Sequence, residues 1–499
     1  FQPYKKFTLT LALMLVSSVT FSPAINASNP ANKQPNIVFL LIDDWGWQDV
    51  GFMGSSYYDT PNMDALAKQS IRFDHGYSAA PNCAPTRAAL MSGQYAPRTG
   101  IYTVGEPARG KAEQRKLIPI DNTTVLSNNV VTMAESIKAV GYNTAFMGKW
   151  HLGSGENGGP LKQGFDVNIG GNESGAPQGG YFAPYNNPDM TQGPDGEYLT
   201  DRLTREAISY IEQQSHDKPF FLYLSHYAVH TPIQAPEDTR VKYEKRQGDE
   251  FHHNAKYGAM VDHVDQGVGK ILATLKSKGF DNNTLIVLTA DNGGFGPVTQ
   301  APDLRGFKGS PYEGGNRVPL LIRMPGHKGT GRITNVAVNS IDFYPTLVEM
   351  AGAKMPVGQI ADGESLVPIL NGGNALARDA LFYHFPAYLQ PYGRVAKGIF
   401  RARPFGAIRI GDYKLIEFFE YGQLELYNLV EDNKESKNLA LEKPQITAKL
   451  LKRMQAWRTE TNAPIPTKIN PEYNKKFTPT SFVTWPDIKA LINNTNDIN

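Results

Sequence analysis

Four short apolar runs limit this chain more than any other feature. Asn36–Ile42, Asn143–Met147, Pro219–Leu224 and Leu285–Thr289 are rich in aliphatic, β-branched or aromatic residues, with little polar alternation. Such runs read as strands buried on both faces, the pattern of a parallel sheet. Segments with helical periodicity lie between them, including Thr132–Val140 and Tyr257–Lys278. Strand and helix in alternation predict an α/β fold, with a large central mixed, mostly parallel sheet flanked by helices. Ligands of such sheets bind beyond the carboxyl ends of the strands. The residues directly after each run are therefore the most informative about function.

A chain of 499 residues has room for one large domain and a smaller one. The texture changes near Leu376. Short strand-like pieces follow at Leu381–Phe385, Ala407–Ile410, Tyr413–Phe418 and Leu424–Asn428, then a helix over Pro444–Glu460. They predict a C-terminal α+β subdomain with an antiparallel sheet over 376–465, after a catalytic domain at 28–375 and before an extended tail at 466–499. The first 27 residues read as a signal peptide: Lys5 and Lys6, an apolar run from Phe7 to Phe21, then Ala24 and Ala27. That run is too short to span a membrane. A secreted or periplasmic protein with no membrane span after signal removal is expected. A net charge of +2 gives no nucleic-acid footprint. The single cysteine, Cys83, excludes an intramolecular disulfide, and exported chains seldom keep an unpaired thiol without a use.

The first strand ends in Asp43-Asp44 and the fourth in Asp291-Asn292. Adjacent parallel strands would gather three carboxylates and an amide, hard ligands suited to Ca²⁺ or Mg²⁺. Cys83-Ala84-Pro85-Thr86-Arg87 opens a predicted helix that stops at Gly93. Cys83 then sits at the helix end that favours anions, and Arg87 shares its face one turn on.

The string Cys83-Ala84-Pro85-Thr86-Arg87, followed by Ala88-Ala89-Leu90-Met91-Ser92-Gly93, resembles the signature of the formylglycine-dependent (type I) sulfatases of the alkaline phosphatase superfamily. The likeness continues through Pro35–Trp47, Thr60–Asp64, Gly148–Gly153, Val229–Pro232, Asp291–Gly293, Lys308–Pro319 and Gly411–Leu415. It implies an alkaline-phosphatase-like fold and a sulfuric ester hydrolase. It further implies that a separate maturation enzyme oxidises Cys83 to formylglycine, an aldehyde whose hydrate is the nucleophile. On that pattern Asp43, Asp44, Asp291, Asn292 and the modified Cys83 match the ligands of one Ca²⁺ ion. Arg87 matches the arginine that fixes the hydrate, and Lys149 and Lys308 the lysines on the sulfate oxygens. His151 matches the base beside the hydrate, and His230 the acid facing the leaving group.

The chemistry accords with this composition. A sulfate ester is anionic, so cations around its oxygens supply the main catalytic term. A sugar alkoxide leaves poorly and needs a proton donor. Lys149 and His151 are two apart, so an extended backbone would aim both at one site. The resemblance is greatest to bacterial polysaccharide sulfatases, so a sulfated carbohydrate, an algal galactan such as carrageenan, is the expected substrate. A glycosaminoglycan sulfatase or arylsulfatase is the alternative. A phosphoester or phosphonate hydrolase, or a non-catalytic glycan-binding protein, fits the retained residues less well. Tyr181, Phe182 and Tyr185 in the long Gly170–Tyr198 loop are expected to form a platform for sugar rings, and Trp47, Arg305 and Tyr312 are further candidates for sugar contact. His226 is open between pocket and core.

Overall fold

The computed structural model describes residues 1–3, 34–393 and 399–496, with side chains to 493. The signal peptide expected over 1–27 lies outside the described residues, apart from its first three. Eight strands form the main sheet in the spatial order β5 (Val167–Ile169), β4 (Asn143–Gly148), β6 (Phe220–His226), β1 (Asn36–Ile42), β7 (Thr284–Ala290), β8 (Leu320–Arg323), β2 (Ile71–Phe73) and β9 (Ile333–Thr334). Pairing is parallel except on the two sides of β8. All seven residues of β1 are buried, because it lies at the centre and both its faces are covered.

The period of two along β1 divides the core. Val38, Leu40 and Ile42 meet one layer, which holds the helices Leu199–Glu212 and Ala255–Ser277. Ile37, Phe39 and Leu41 meet the other, with Met133, Ile137, Phe343, Leu347 and the helix Cys83–Ser92. The helix expected from Thr132 begins one residue later, since the Thr132 side chain caps it in a capping box with Glu135. A short ribbon joins β3 (Gly76–Tyr77) to β10 (Val338–Asn339).

The smaller sheet is an antiparallel meander of β11 (Leu381–Phe385), β12 (Phe405–Ile410), β13 (Tyr413–Phe418) and β14 (Gln423–Asn428). The helix Pro444–Thr461 covers one face through Leu450, Leu451, Met454 and Trp457. Ala79, Ala89, Tyr95 and Ile341 of the larger part join the same cluster. From Gln34 onward the chain is therefore one compact unit.

The tail departs from the extended form expected of it. Val483 and Thr484 pair with the edge of β14, and a helix follows over Trp485–Asn496. The Asp487 carboxylate accepts from the Thr484 N–H at 2.8 Å, and Ile488 is fully buried against the Pro444–Thr461 helix cluster. A stretch rich in Pro, Asn and Thr reads as an extended tail; one cap and one apolar residue decide otherwise.

A buried ion cluster joins the two sheets. Lys414 of β13 lies 3.0 Å from both Glu313 and Glu435. The Tyr77 hydroxyl donates to Glu313 at 2.7 Å. Burial raises the Glu435 pKa to about 7; at Glu313 burial also pushes up, but Lys414, Arg317, Arg409 and the Tyr77 hydrogen bond together outweigh it and hold the pKa down at about 2. In the unfolded chain a glutamate titrates near 4.5. The folded state therefore retains the Glu435 proton after the unfolded state has lost it, and this stabilisation is lost as pH rises from about 4.5 to 7. Glu435→Gln is expected to flatten the fall in stability over that window, read as wild type minus variant in urea unfolding at several pH values. Parallel pH profiles would refute the assignment.

Candidate active site

β1 and β7 are neighbours with Ile42 opposite Ala290, so Asp43 and Asp291 leave the sheet side by side. Asp44 then turns through a left-handed backbone, with φ of 58°. Side-chain-bearing residues rarely adopt it, and such strain gathers at functional sites. The turn lets the Asp44 N–H donate to Asp291 Oδ1 at 3.2 Å, and Asn292 Nδ2 donates to Asp44 Oδ1 at 2.9 Å. Beyond β6, Ala228 and Val229 grip the Asp43 backbone through hydrogen bonds of 2.9 and 2.7 Å.

Three cations face these carboxylates. β4 ends in Gly148, where φ is 96° and a Cβ would stand 1.9 Å from the Ser225 carbonyl oxygen. Only glycine permits that turn. It brings Lys149 Nζ to 2.6 Å from Asp43 Oδ2. Lys308 Nζ lies 2.6 and 2.7 Å from the two oxygens of Asp44. Arg87 donates from Nε to Asp291 Oδ2 at 2.9 Å, and from Nη1 to the Lys149 carbonyl and Ser225 Oγ at 2.6 and 2.7 Å. Three carboxylates and three cations balance in charge.

Cys83 opens its helix at the floor of this group, with Sγ 4.0 Å from Asp44 Oδ1. Burial pushes the thiol up to about 12, so at neutral pH the unmodified side chain is a thiol and not a thiolate. His230 places Nδ1 2.7 Å from the Thr231 carbonyl, which leaves Nε2 toward the site, 3.7 Å from Asp44 Oδ2. Burial, then Lys308 and Lys149, lower its pKa to about 3. His151 is lowered well below the ordinary imidazole value, again by burial first and then by Lys149. The pocket above Cys83 has a volume of about 390 Å³ and is lined in part by His151, His230, Lys308, Ser174 and Gly175.

The buried acceptors fit a hard cation. Asp43 Oδ1 and Asn292 Oδ1 have no hydrogen-bond donor. Asp43 is raised well above the usual carboxylate range, by burial and by repulsion from Asp291. Ligand atoms of Asp43, Cys83 and Asp291 lie within 4.8 Å of one another, and those of Asp44, Cys83 and His230 do likewise. A divalent ion would relieve both the orphaned oxygens and the repulsion.

Comparison with known proteins agrees with this geometry. The Sulfatase family pattern matches residues 35–353, and that of the N-sulphoglucosamine sulphohydrolase C-terminal region matches 308–460. The chain belongs to the sulfatase family. This sulfatase is 34% identical to a sulfatase of Formosa agariphila, over 92% of its own length and 93% of the relative's. It is 32% identical to the N-acetylgalactosamine-6-sulfatase of Mus musculus, over 75% and 73% of the two chains. Among solved structures it resembles Ps i-CgsB in complex with k-i-k-neocarrahexaose, at a TM-score of 0.71 and 28% identity, covering 89% of this chain and all of the other.

All ten residues singled out for the site of this sulfatase lie at one end of the sheet. The reason offered for Lys149 and His151 needs correction. His151 has φ of 65°, so the backbone between them is not extended; Trp150 turns into the core and His151 returns through the left-handed region. The aromatic platform is also corrected. Tyr181 and Tyr185 are buried, and the Tyr181 hydroxyl donates to the Tyr227 and His230 carbonyls at 2.6 and 2.9 Å. Tyr181 thus holds the His230 segment, while the Tyr185 hydroxyl donates to the Glu197 carbonyl at 2.8 Å. Trp47 packs beneath Arg317, and Arg305 stacks on Tyr312 beside a separate cavity of about 640 Å³. His226 is core. Ser225, which joins Arg87 to the Lys149 turn, escaped the sequence reading because a serine ending a buried strand carries no distinct pattern. Arg109, Tyr392 and Arg401 also line the pocket, and they come from segments without a motif.

Proposed function

We propose that this sulfatase, outside the cytoplasm, cleaves sulfate esters of a sulfated carbohydrate, an algal galactan such as carrageenan. Its nucleophile is then formylglycine, installed at Cys83 by a maturation enzyme. One observation supports the reading above the rest: Cys83 lies beneath a pocket between a buried carboxylate cluster and Lys149 and Lys308. Asp43, Asp44, Asp291, Asn292 and the modified Cys83 would hold calcium. When present, calcium polarises the sulfate and the aldehyde hydrate supplies the attacking oxygen. Arg87 orients the residue at 83 through the Asp291 carboxylate. Lys149 and Lys308 bind the non-bridging oxygens, where charge is greatest. The negative charge of a bound sulfate offsets Lys308 and Lys149, which hold His230 neutral in the empty site. His230, so protonated, delivers a proton from Nε2 to the leaving alcohol oxygen, and His151 accepts the proton that accompanies sulfate release. The likeness to Ps i-CgsB, solved with a neocarrahexaose, supports the galactan. The likeness to N-acetylgalactosamine-6-sulfatases favours a glycosaminoglycan as second reading.

Sulfate release from defined carrageenan and glycosaminoglycan oligosaccharides decides between them. Faster turnover of a glycosaminoglycan would overturn the galactan, and faster release of phosphate from matched phosphate esters would overturn the sulfatase chemistry. His230→Ala is expected to lower kcat on the sugar sulfate by about 10²-fold or more, since alkoxide departure needs the acid. Nitrophenyl sulfate, whose leaving group is stable as an anion, should lose far less. Equal losses on both would remove His230 from the acid role.

A further inference from the structure

The pocket above Cys83 contains two cations that the reaction does not use. Arg109 and Arg401 line it together with Lys308 and His230. Among the described residues neither forms an ion pair with a carboxylate. Arg401 Nε and Nη1 are buried and have no hydrogen-bond partner; its guanidinium only stacks on Tyr392, 3.7 Å from the ring centre. Arg109 donates to the main-chain carbonyls of Glu106 and Val104. Burial, and then Arg109, lower the Arg401 pKa to about 9, while Asp44 and Cys83 pull it the other way. The other arginines near the adjoining cavity are answered: Arg305 by the Tyr427 hydroxyl and the Glu435 carbonyl, Arg403 by Glu420.

A buried, unpaired guanidinium is costly, and a second one beside it adds repulsion. The backbone nevertheless fixes both. Tyr388 accepts a place beside Ala108, its N–H donating to the Pro107 carbonyl at 2.9 Å. Leu389 pairs with Ala402, and the Arg401 N–H donates to the Leu389 carbonyl at 3.0 Å. One strand segment thus holds the two arginine-bearing segments on a common frame. Fixed cations without counter-ions, in a pocket shared with the nucleophile, are what an additional anion requires.

We propose that Arg109 and Arg401 form a second anion subsite, which receives a further sulfate ester or a carboxylate of the same substrate while the first sulfate lies at Cys83. This rests on the carbohydrate reading and narrows it to sugars bearing at least two anionic groups. Planar guanidinium forks suit either anion. Arg401 also lines the 640 Å³ cavity, so the subsite lies where a longer chain would leave the pocket.

Calorimetric titration of the Cys83→Ser protein tests this with oligosaccharides of one length: one sulfate, two sulfates, or one sulfate and a uronate. The second anion is expected to tighten Kd about 10- to 100-fold, the range of a charge-assisted pair. Arg401→Gln and Arg109→Gln should each remove most of that preference, and Arg401→Lys should keep part of it. A preference for the second sulfate but not the uronate, or the reverse, names the anion. Equal Kd values for singly and doubly charged ligands, or a preference that survives both substitutions together, would overturn the subsite. Arg109 is half-exposed, so its variant tests the idea even if Arg401 variants fail to fold. Hydrolysis of galactans without the preference would sink only the subsite; the preference without hydrolysis by the wild type would sink only the function.

Discussion

Cys83→Ser is expected to reduce sulfate release by at least about 10⁴-fold while thermal unfolding stays close to that of the wild type. The site is already assembled around position 83, and the exchange of sulfur for oxygen is nearly isosteric. Arg87 pairs with Asp291, Lys149 with Asp43 and Lys308 with Asp44, without help from the thiol. Packing is therefore preserved. On the proposed formylglycine chemistry turnover is lost, because serine would offer one hydroxyl where a hydrated aldehyde would offer two, and the second would let sulfate depart without attack by water at sulfur. Sulfate release and a thermal melt on the same preparation read both effects. Loss of fold alongside activity would show that Cys83 is structural. Full activity in protein whose Cys83 peptide has the mass of an intact thiol would refute the modification.

Lys414→Met is expected to cost about 3–5 kcal/mol, the usual penalty for removing one partner of a buried charge cluster. Lys414 is 1% exposed and lies between two buried glutamates. Methionine keeps much of the volume but leaves Glu313 and Glu435 in mutual repulsion. Urea unfolding should show the loss. Lys414→Met combined with Glu435→Gln should recover part of it, since one of the opposed charges is gone; additive penalties would refute the coupling. Activity should fall as well, through Lys308. Glu313 is five residues beyond Lys308 and anchors that segment to the small sheet through Lys414 and the bond from its own N–H to Glu435. The Gly411–Leu415 string thus supports the Lys308 segment from a distance.

Much of the fold was legible because burial imposes a pattern. β1, β11 and β13 have the bounds read from sequence, since continuous or alternating apolar runs end abruptly at polar or turn residues. β6 extends to Ser225 and His226, polar residues that remain in the ladder because neighbouring strands satisfy their backbone. The residues that a motif carries all lie together at one end of the sheet. Those that act through partners distant in sequence carry no motif. Ser225 meets Arg87 across 138 positions, and Arg401 stands out only because it stacks on Tyr392 and, among the described residues, forms no ion pair.

By itself the sequence pointed to the reaction, through the resemblance of the Cys83–Gly93 string and the strand-end acids to the sulfatase signature. It determined the sheet, because apolar runs must be buried. Tertiary structure alone decided which charges are answered. Asp43 meets Lys149, Lys414 meets two glutamates, and Arg109 and Arg401 pair with no carboxylate among the described residues, because electrostatic balance depends on distance and solvent access, and neither is written in the linear order of residues.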